Sequence, residues 1–307
     1  MATALKRAEQ LQLEVVPKPG GFAADVYGFD IEDEALCASS ALRERLFELI
    51  REHQVLAIRS PKRMTDEQQA RFAKIFGTPH VFSASAKGED DSFVQHIHGN
   101  PFSYWHQDIV DYATAPCQFT ILHCLVNPVR VACDTVFVNN FALLRKLPDQ
   151  VLSYLKSRTV FTQPSLLVGR DPVSERETLF YNFGNPYIAL MRECFARGRG
   201  EEAQKVFPAE ELEFLKAVDA VAGLVEQVER AEAAEEFFRM RCSEGDTVIW
   251  NNLTVGHRGG ADKRALSDNR WMRRSLVLYG GELPDFYRRF GVLSNKNGAF
   301  KRRQAGY

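Results

Sequence analysis

The stretch "SYWHQDIVDY", Ser103 to Tyr112, places His106 and Asp108 with one residue between them. On an extended segment, side chains at i and i+2 point to the same face. An imidazole nitrogen and a carboxylate oxygen at this spacing can therefore reach one ion. Two ligands hold a metal weakly, so the pair by itself is a permission and not a site. The chain has seven histidines: His53, His80, His96, His98, His106, His123 and His257. His257, which follows "GDTVIWNNLTVG", is the best third ligand. His96 and His98 in "QHIH" share the i, i+2 spacing but have no carboxylate or downstream partner that fits; they are expected to line the pocket at most. His123 lies inside an apolar run and reads as a core histidine.

Two histidines and one carboxylate are the facial ligand set of non-haem Fe(II) oxygenases, which leaves open positions for a co-substrate and O2. Beyond His257 comes "NRWMRRSLVLYG", with Arg270, Arg273 and Arg274 entering a final strand. A guanidinium one strand away from a metal ligand suits bidentate binding of a carboxylate. A dicarboxylic keto-acid would chelate the metal at one end and need such a partner at the other.

These residues need a frame. Helical spacing of Leu42, Leu46, Leu49 and Ile50 predicts a helix over Ala38–His53, and "QVLAIRS" predicts a buried strand straight after it. Thr65 and Gln68 form a capping box for the next helix, with Gly77 as its stop. After "WHQD" the pattern changes to short strands: "QFTILHCL" and "DTVFVNN", and later "FRMRC", "DTVIWNN" and "RRSLVLYG". "FALLRKLPDQVLSYLKSR" predicts two short helices broken at Pro148. "QPSLLVGRDPVSERE" reads as loop, and the helical run after Pro208 reads as two pieces. The order implies an α+β fold, an antiparallel β core with flanking helices.

Bulk composition narrows the function classes. Of 307 residues, 39 are Lys or Arg and 40 are Asp or Glu, a net charge of −1. That argues against nucleic acid as a partner, because such surfaces carry a basic excess. The short "KRR" run at Lys301–Arg303 reads as solvated surface. No apolar run reaches the ~18 residues of a membrane helix, so no membrane partner is expected. No secretory leader is evident, and none of the six cysteines forms a CxxC pair. A cytoplasmic protein with reduced thiols is expected; a homo-oligomer is left open.

Taken in order, "WHQD", "DTVFVNN", "GDTVIWNN…H" and "NRWMRRSL" resemble the Fe(II)/2-oxoglutarate-dependent dioxygenases of the taurine dioxygenase and 2,4-dichlorophenoxyacetate dioxygenase family. "HQVLAIRS…MTDEQQARFAKIFGTPH" resembles that family's opening. The resemblance runs from about Gly21 to about Gly280. It implies a double-stranded β-helix, a cupin-like jelly roll, formed by one dioxygenase domain over 1–307 with a substrate-lid insertion around 162–208. It implies Fe(II) ligation by His106, Asp108 and His257, and 2-oxoglutarate binding by Thr135 and Arg270. It further implies substrate contacts from Arg274, His80 and Trp105. Which of Arg270, Arg273 and Arg274 meets co-substrate and which meets substrate is left open.

The reaction so implied consumes O2, converts 2-oxoglutarate to succinate and CO2, and hydroxylates or desaturates an unactivated C–H of a small anionic molecule. An amino acid or an amino-acid-derived intermediate of natural-product biosynthesis is the expected substrate. The alternatives are a sulfonate or phenoxy acid in catabolism, or oxidative decarboxylation to an isonitrile. A metal-binding jelly roll without turnover is the competing reading from another class; the complete ligand set argues against it.

Overall fold

A computed structural model describes residues 13–28, 30, 33–82, 92–99, 102–108, 116–127, 134–157, 166–171, 173–184, 209–233, 235–260 and 270–280. Its strands are β1 (Glu14–Pro17), β2 (Ala23–Tyr27), β3 (Val55–Ile58), β4 (Thr78–Pro79), β5 (Gln95–His98), β6 (Cys117–Val126), β7 (Thr135–Asn139), β8 (Leu166–Arg170), β9 (Glu177–Tyr181), β10 (Phe237–Met240), β11 (Thr247–Asn251), β12 (Val255–Gly259) and β13 (Trp271–Leu278). Its helices are α1 (Glu34–Cys37), α2 (Ser40–His53), α3 (Asp66–Lys74), α4 (Asn140–Lys146), α5 (Asp149–Ser157) and α6 (Ala209–Ala231).

A larger sheet runs β1-β2-β3-β11-β6-β13-β4, with β5 also on β13; a smaller one runs β10-β7-β12. Only the β2–β3 pairing is parallel among those described. Strands such as "VLAI" and "TVIWN" are buried at every position, because both faces of each sheet are covered. Period-2 alternation then sorts the side chains. Val55, Leu122, Val248 and Trp250 of the larger sheet meet Phe137, Met240 and Val255 of the smaller one in the layer between them. Leu56, Ile58, Ile121 and Ile249 point the other way, onto Leu42, Leu46, Leu49 and Phe72 of α2 and α3. Val136 and Val138 point outward from the smaller sheet onto α4, α5 and α6. This two-sheet arrangement with helices outside is the jelly roll expected above, of α+β class.

Three local expectations change. "QPSLLVGRDPVSERE" is not loop: Leu166–Arg170 and Glu177–Tyr181 pair as an antiparallel hairpin. Its Asp171 accepts from the Ser174 backbone N–H (3.0 Å) and hydroxyl (2.6 Å), closing a polar turn. Gly169 within β8, and the Pro and charges of the sequence between the strands, mask the two short strands. The helix after Pro208 is one piece through Gly223. Leu215, Val218, Val221, Ala222, Val225 and Val228 bury one continuous stripe, which outweighs the roughly 1 kcal/mol cost of the glycine. Finally, α3 keeps its Thr65/Gln68 capping box but ends at Lys74, before Gly77. Gly77 has φ +150 with Val277 3.1 Å from the position of a Cβ, so it allows close passage to β13. Of the expected lid 162–208, residues 162–165, 172 and 185–208 lie outside the described residues.

His123 is a core histidine, as its apolar run implies. It is fully buried, its Nε2 accepts from Met64 N (3.0 Å), and its Nδ1 bonds Thr247 Oγ1 (2.9 Å). Burial, with the charges of Arg273 and Arg63, holds its pKa down to about 4. The unfolded chain has an ordinary histidine near 6.5. Above that pH both states are neutral; as pH falls from 6.5 to 4 the unfolded state takes up a proton that the folded state refuses. The loss by pH 4 is about 3 kcal/mol. In urea titrations between pH 7 and 4, His123→Gln, which keeps an acceptor for Met64, should flatten the acid side of the stability curve by about one proton's slope. An unchanged slope would contradict the assignment.

Candidate metal and co-substrate site

His106 and His257 are 151 positions apart in the chain, yet they form one antiparallel bridge. Each donates its backbone N–H to the other's carbonyl, both at 2.9 Å. Residues directly opposite on paired strands present side chains to one face, and the two rings stand 4.3 Å apart. On the other flank of the same segment, Gln107 N donates to Tyr181 O (3.2 Å) and Phe183 N donates to Trp105 O (2.9 Å). The 105–107 segment thus joins β12 to the β8–β9 hairpin and extends the smaller sheet. His257 sits within β12, opposite Phe137. Its neighbour Gly256 permits this: a Cβ there would lie 1.8 Å from Tyr181 Oη.

Asp108 completes the cluster. Its Oδ1 lies 3.9 Å from His106 Nε2 and its Oδ2 lies 3.5 Å from His257 Nε2. The three ligand atoms fall within 4.8 Å of one another, all on buried residues. His106 Nδ1 faces the Tyr104 carbonyl at 2.9 Å, so Nδ1 carries the proton and Nε2 presents its lone pair to the cluster. Burial pushes the pKa of both His106 and His257 down, so the rings are neutral. Burial alone would raise Asp108, but the charge of Arg274, with the Thr120 hydroxyl, holds the carboxyl below its usual range. Two neutral imidazoles and one carboxylate are the protonation states a divalent cation requires. The donor set fits Fe(II).

Sequence reasoning missed the residues that hold Asp108 in place. Asn252 is fully buried; its Oδ1 accepts from Asp108 N (2.8 Å), and its Nδ2 donates to the carbonyls of Asp108 (2.6 Å) and Cys117 (3.0 Å). Gln107 Nε2 donates to Asn252 O (2.8 Å), and Gln107 Oε1 accepts from Tyr181 N (3.0 Å). Thr120 Oγ1 donates to Asp108 Oδ2 (2.9 Å). The second Asn of "WNN", just past the end of strand β11, was the available signal. Losing such an orienting partner weakens metal binding 10–100-fold as a rule. Asn252→Ala should therefore lower Mn(II) affinity by roughly that factor in equilibrium dialysis, with 2-oxoglutarate affinity of the metal-loaded protein much less changed.

A cleft of about 410 Å³, counted to its open mouth, lies beside the cluster. Arg270 is buried in its wall: Nη2 donates to Thr135 Oγ1 (3.1 Å) and Nη1 to Gly99 O (3.4 Å), while Nε has no partner among the described residues. A buried guanidinium with an unsatisfied N–H calls for an anion. Arg273 and Arg274 divide by alternation along β13. Arg273 points outward, where its Nε lies 2.6 Å from Asp66 Oδ1. Arg274 points inward and donates from Nη1 to Asp108 Oδ1 at 2.5 Å. Arg258 also lines the cleft, but its charge is paired with Glu229 of α6.

The remaining expected contacts are placed differently. Trp105 is buried in the apolar cluster between the smaller sheet and α4–α6, with Arg258 over its ring at 5.4 Å. Ile97, Phe102, Leu122 and Trp250 supply the cleft's apolar wall. His80 stands edge-on to Phe82, its pKa lowered by burial and by Arg274's charge, which places it near that arginine. His96 and His98 face away from the cleft: His96 bonds Asp66 and His98 stacks on Trp271, while Ile97 between them faces inward.

Comparison with known proteins agrees with this geometry. The model of the taurine catabolism dioxygenase TauD, TfdA family matches residues 14–276. An alkylsulfatase of Acinetobacter baylyi is 23% identical over 91% of this chain and 89% of its own. An alpha-ketoglutarate-dependent sulfate ester dioxygenase of Pseudomonas putida is 23% identical over 89% of this chain and 91% of its own. The crystal structure of a taurine dioxygenase from Burkholderia xenovorans superposes with a TM-score of 0.61 at 18% identity, covering 89% of this chain and 92% of that one. The chain belongs to the taurine catabolism dioxygenase TauD, TfdA family and is an Fe(II)- and 2-oxoglutarate-dependent dioxygenase.

Proposed function

We propose that this dioxygenase oxidises an unactivated C–H of a small organic monoanion, of the sulfate ester or sulfonate class, held by Arg274. Fe(II) with 2-oxoglutarate and O2 supplies the oxidising power, and 2-oxoglutarate leaves as succinate and CO2. His106, Asp108 and His257 hold the metal. Arg270 and Thr135 take the far carboxylate of 2-oxoglutarate, which satisfies the bare Arg270 Nε. Ile97, Phe102, Leu122 and Trp250 keep water from the reacting atoms and pack against the substrate's apolar part.

Charge balance carries the reading of the substrate. Arg270 and Arg274 line the described cleft, Asp108 pairs with Arg274, and Arg258 is neutralised by Glu229. Adding a divalent cation and a dianionic co-substrate leaves one net positive charge for the substrate. None of the described lining residues is acidic, so nothing there would hold the ammonium of an amino acid. The sulfate ester dioxygenase and alkylsulfatase relatives support the same class. The family match over most of the chain supports reading 1–307 as one catalytic domain.

The test is succinate release with Fe(II) and ascorbate across alkyl sulfates, alkyl sulfonates, phenoxyacetates and α-amino acids, with His106→Ala as blank. Sulfate esters or sulfonates should stimulate turnover most. Preference for an amino acid would overturn the substrate assignment while leaving the dioxygenase intact.

A further inference from the structure

Arg274 is held on three sides. Nη1 reaches Asp108, and the guanidinium carbon stands 5.3 Å from the centre of the Phe102 ring. Another edge, Nε and Nη2, donates to a single acceptor, Gln95 Oε1, at 3.1 and 2.6 Å. Gln95 lies directly opposite Arg274 in the β5–β13 register, so both side chains share the inward face, while the next pair, His96 and Arg273, faces outward. Neither Gln95 nor its pairing was singled out by sequence.

We infer that Gln95 is a positioning and specificity-determining residue: its amide fixes Arg274 over the metal cluster without cancelling the charge that selects an anionic substrate. The inference rests on the anionic-substrate reading above. An arginine is long and loses rotamer freedom on being fixed; a cross-strand partner that takes two of its N–H groups removes that cost before substrate arrives. The neutral amide is the informative choice. A glutamate at this position could accept the same two N–H groups, as carboxylates do, but would reduce the cleft's net charge to zero. Gln95 is therefore a place where one atom's difference, oxygen for nitrogen, decides whether the cleft favours an anion.

The experiment uses the full-length protein loaded with Mn(II) and 2-oxoglutarate. Binding of hexyl sulfate and of uncharged hexanol is followed by calorimetry in wild type, Gln95→Met, Gln95→Glu and Arg274→Leu. Mn(II) and 2-oxoglutarate affinities are measured on each. Gln95→Met should weaken hexyl sulfate about tenfold, the effect of losing one charge-assisted hydrogen bond's worth of organisation. Gln95→Glu should lower the hexyl sulfate to hexanol affinity ratio at least as far. Hexanol, Mn(II) and 2-oxoglutarate binding should stay within about twofold, which a merely structural role for Gln95 would not spare. If Arg274→Leu weakens hexyl sulfate but both Gln95 variants bind it as wild type does, the inference fails and the anionic-substrate reading stands. If wild type and Arg274→Leu do not differ, or wild type does not bind hexyl sulfate, that reading fails and the inference with it. Gln95→Glu preserves side-chain size, so a misfolded Gln95→Met still leaves a decisive variant.

Discussion

Asp108→Ala abolishes 2-oxoglutarate turnover and lowers Mn(II) affinity by about a thousandfold or more. The expectation follows from charge as well as from ligand count. The two histidines are neutral because burial disfavours their protonated forms, so Asp108 is the one anionic donor in the described cluster. Removing it leaves a dication facing two imidazoles with Arg274 close by. The same variant strands Arg274, whose Nη1 is donated to Asp108. Losing one partner of a buried pair costs the folded protein about 3 kcal/mol or more, because the remaining charge is left uncompensated. The loss applies to metal-free protein, so denaturant titration in chelator separates it from metal loss. His106→Ala should lower metal affinity comparably while costing the metal-free protein much less. Equal destabilisation by the two substitutions, or metal affinity within tenfold of wild type for Asp108→Ala, would contradict the site.

Arg270→Leu raises the Kd for 2-oxoglutarate on the order of a hundredfold, with Mn(II) affinity changed less than fivefold. A buried, charge-assisted contact to a carboxylate contributes roughly 2–5 kcal/mol when one partner is truncated. Arg270 has the geometry for such a contact: only 4% exposed, fixed by Thr135 and Gly99, and with Nε unsatisfied. The leucine removes a buried cation whose hydrogen bonds are incomplete, so the free protein should lose little stability and could gain some. That combination, weaker co-substrate binding with unchanged folding, distinguishes a binding arginine from a structural one. Thr135→Val should move 2-oxoglutarate affinity in the same direction by about tenfold, since the Thr135 hydroxyl accepts one Arg270 N–H and fixes its orientation. Isothermal calorimetry of 2-oxoglutarate into Mn(II)-loaded protein checks both. A Kd for Arg270→Leu within threefold of wild type would remove it from the co-substrate site.

Much of the frame was legible because its signals are local. The Thr65/Gln68 capping box, the Pro148 break and the apolar run of β6 are each contained in ten residues or so. The signals that failed are those in which a distant contact outweighs local composition. The β8–β9 hairpin reads as loop because its turn residues dominate a short window. Yet its Tyr181 and Phe183 backbone groups are claimed by the 105–107 segment. Helix α6 survives Gly223 because its apolar stripe is buried against α4, α5 and the smaller sheet. Trp105 was expected near substrate from adjacency to His106. On an extended segment adjacent residues face opposite ways, and Trp105 packs outward into the apolar cluster.

What could be read from residue types and order alone was the candidate chemistry: a possible ligand set in the His106-Asp108 spacing and the distant His257, and an arginine supply in Arg270 and Arg274. Those properties are intrinsic to side chains and to order along the chain. Tertiary structure alone decided the pairing and the aim. The backbone bridge brings His106 and His257 to one face, Asn252 and Thr120 hold the Asp108 carboxylate, and strand alternation sends Arg273 outward and Arg274 inward. Pairing partners are chosen by sheet register. A one-residue slip in β13 would exchange the faces of Arg273 and Arg274, and the same composition would then present a different site.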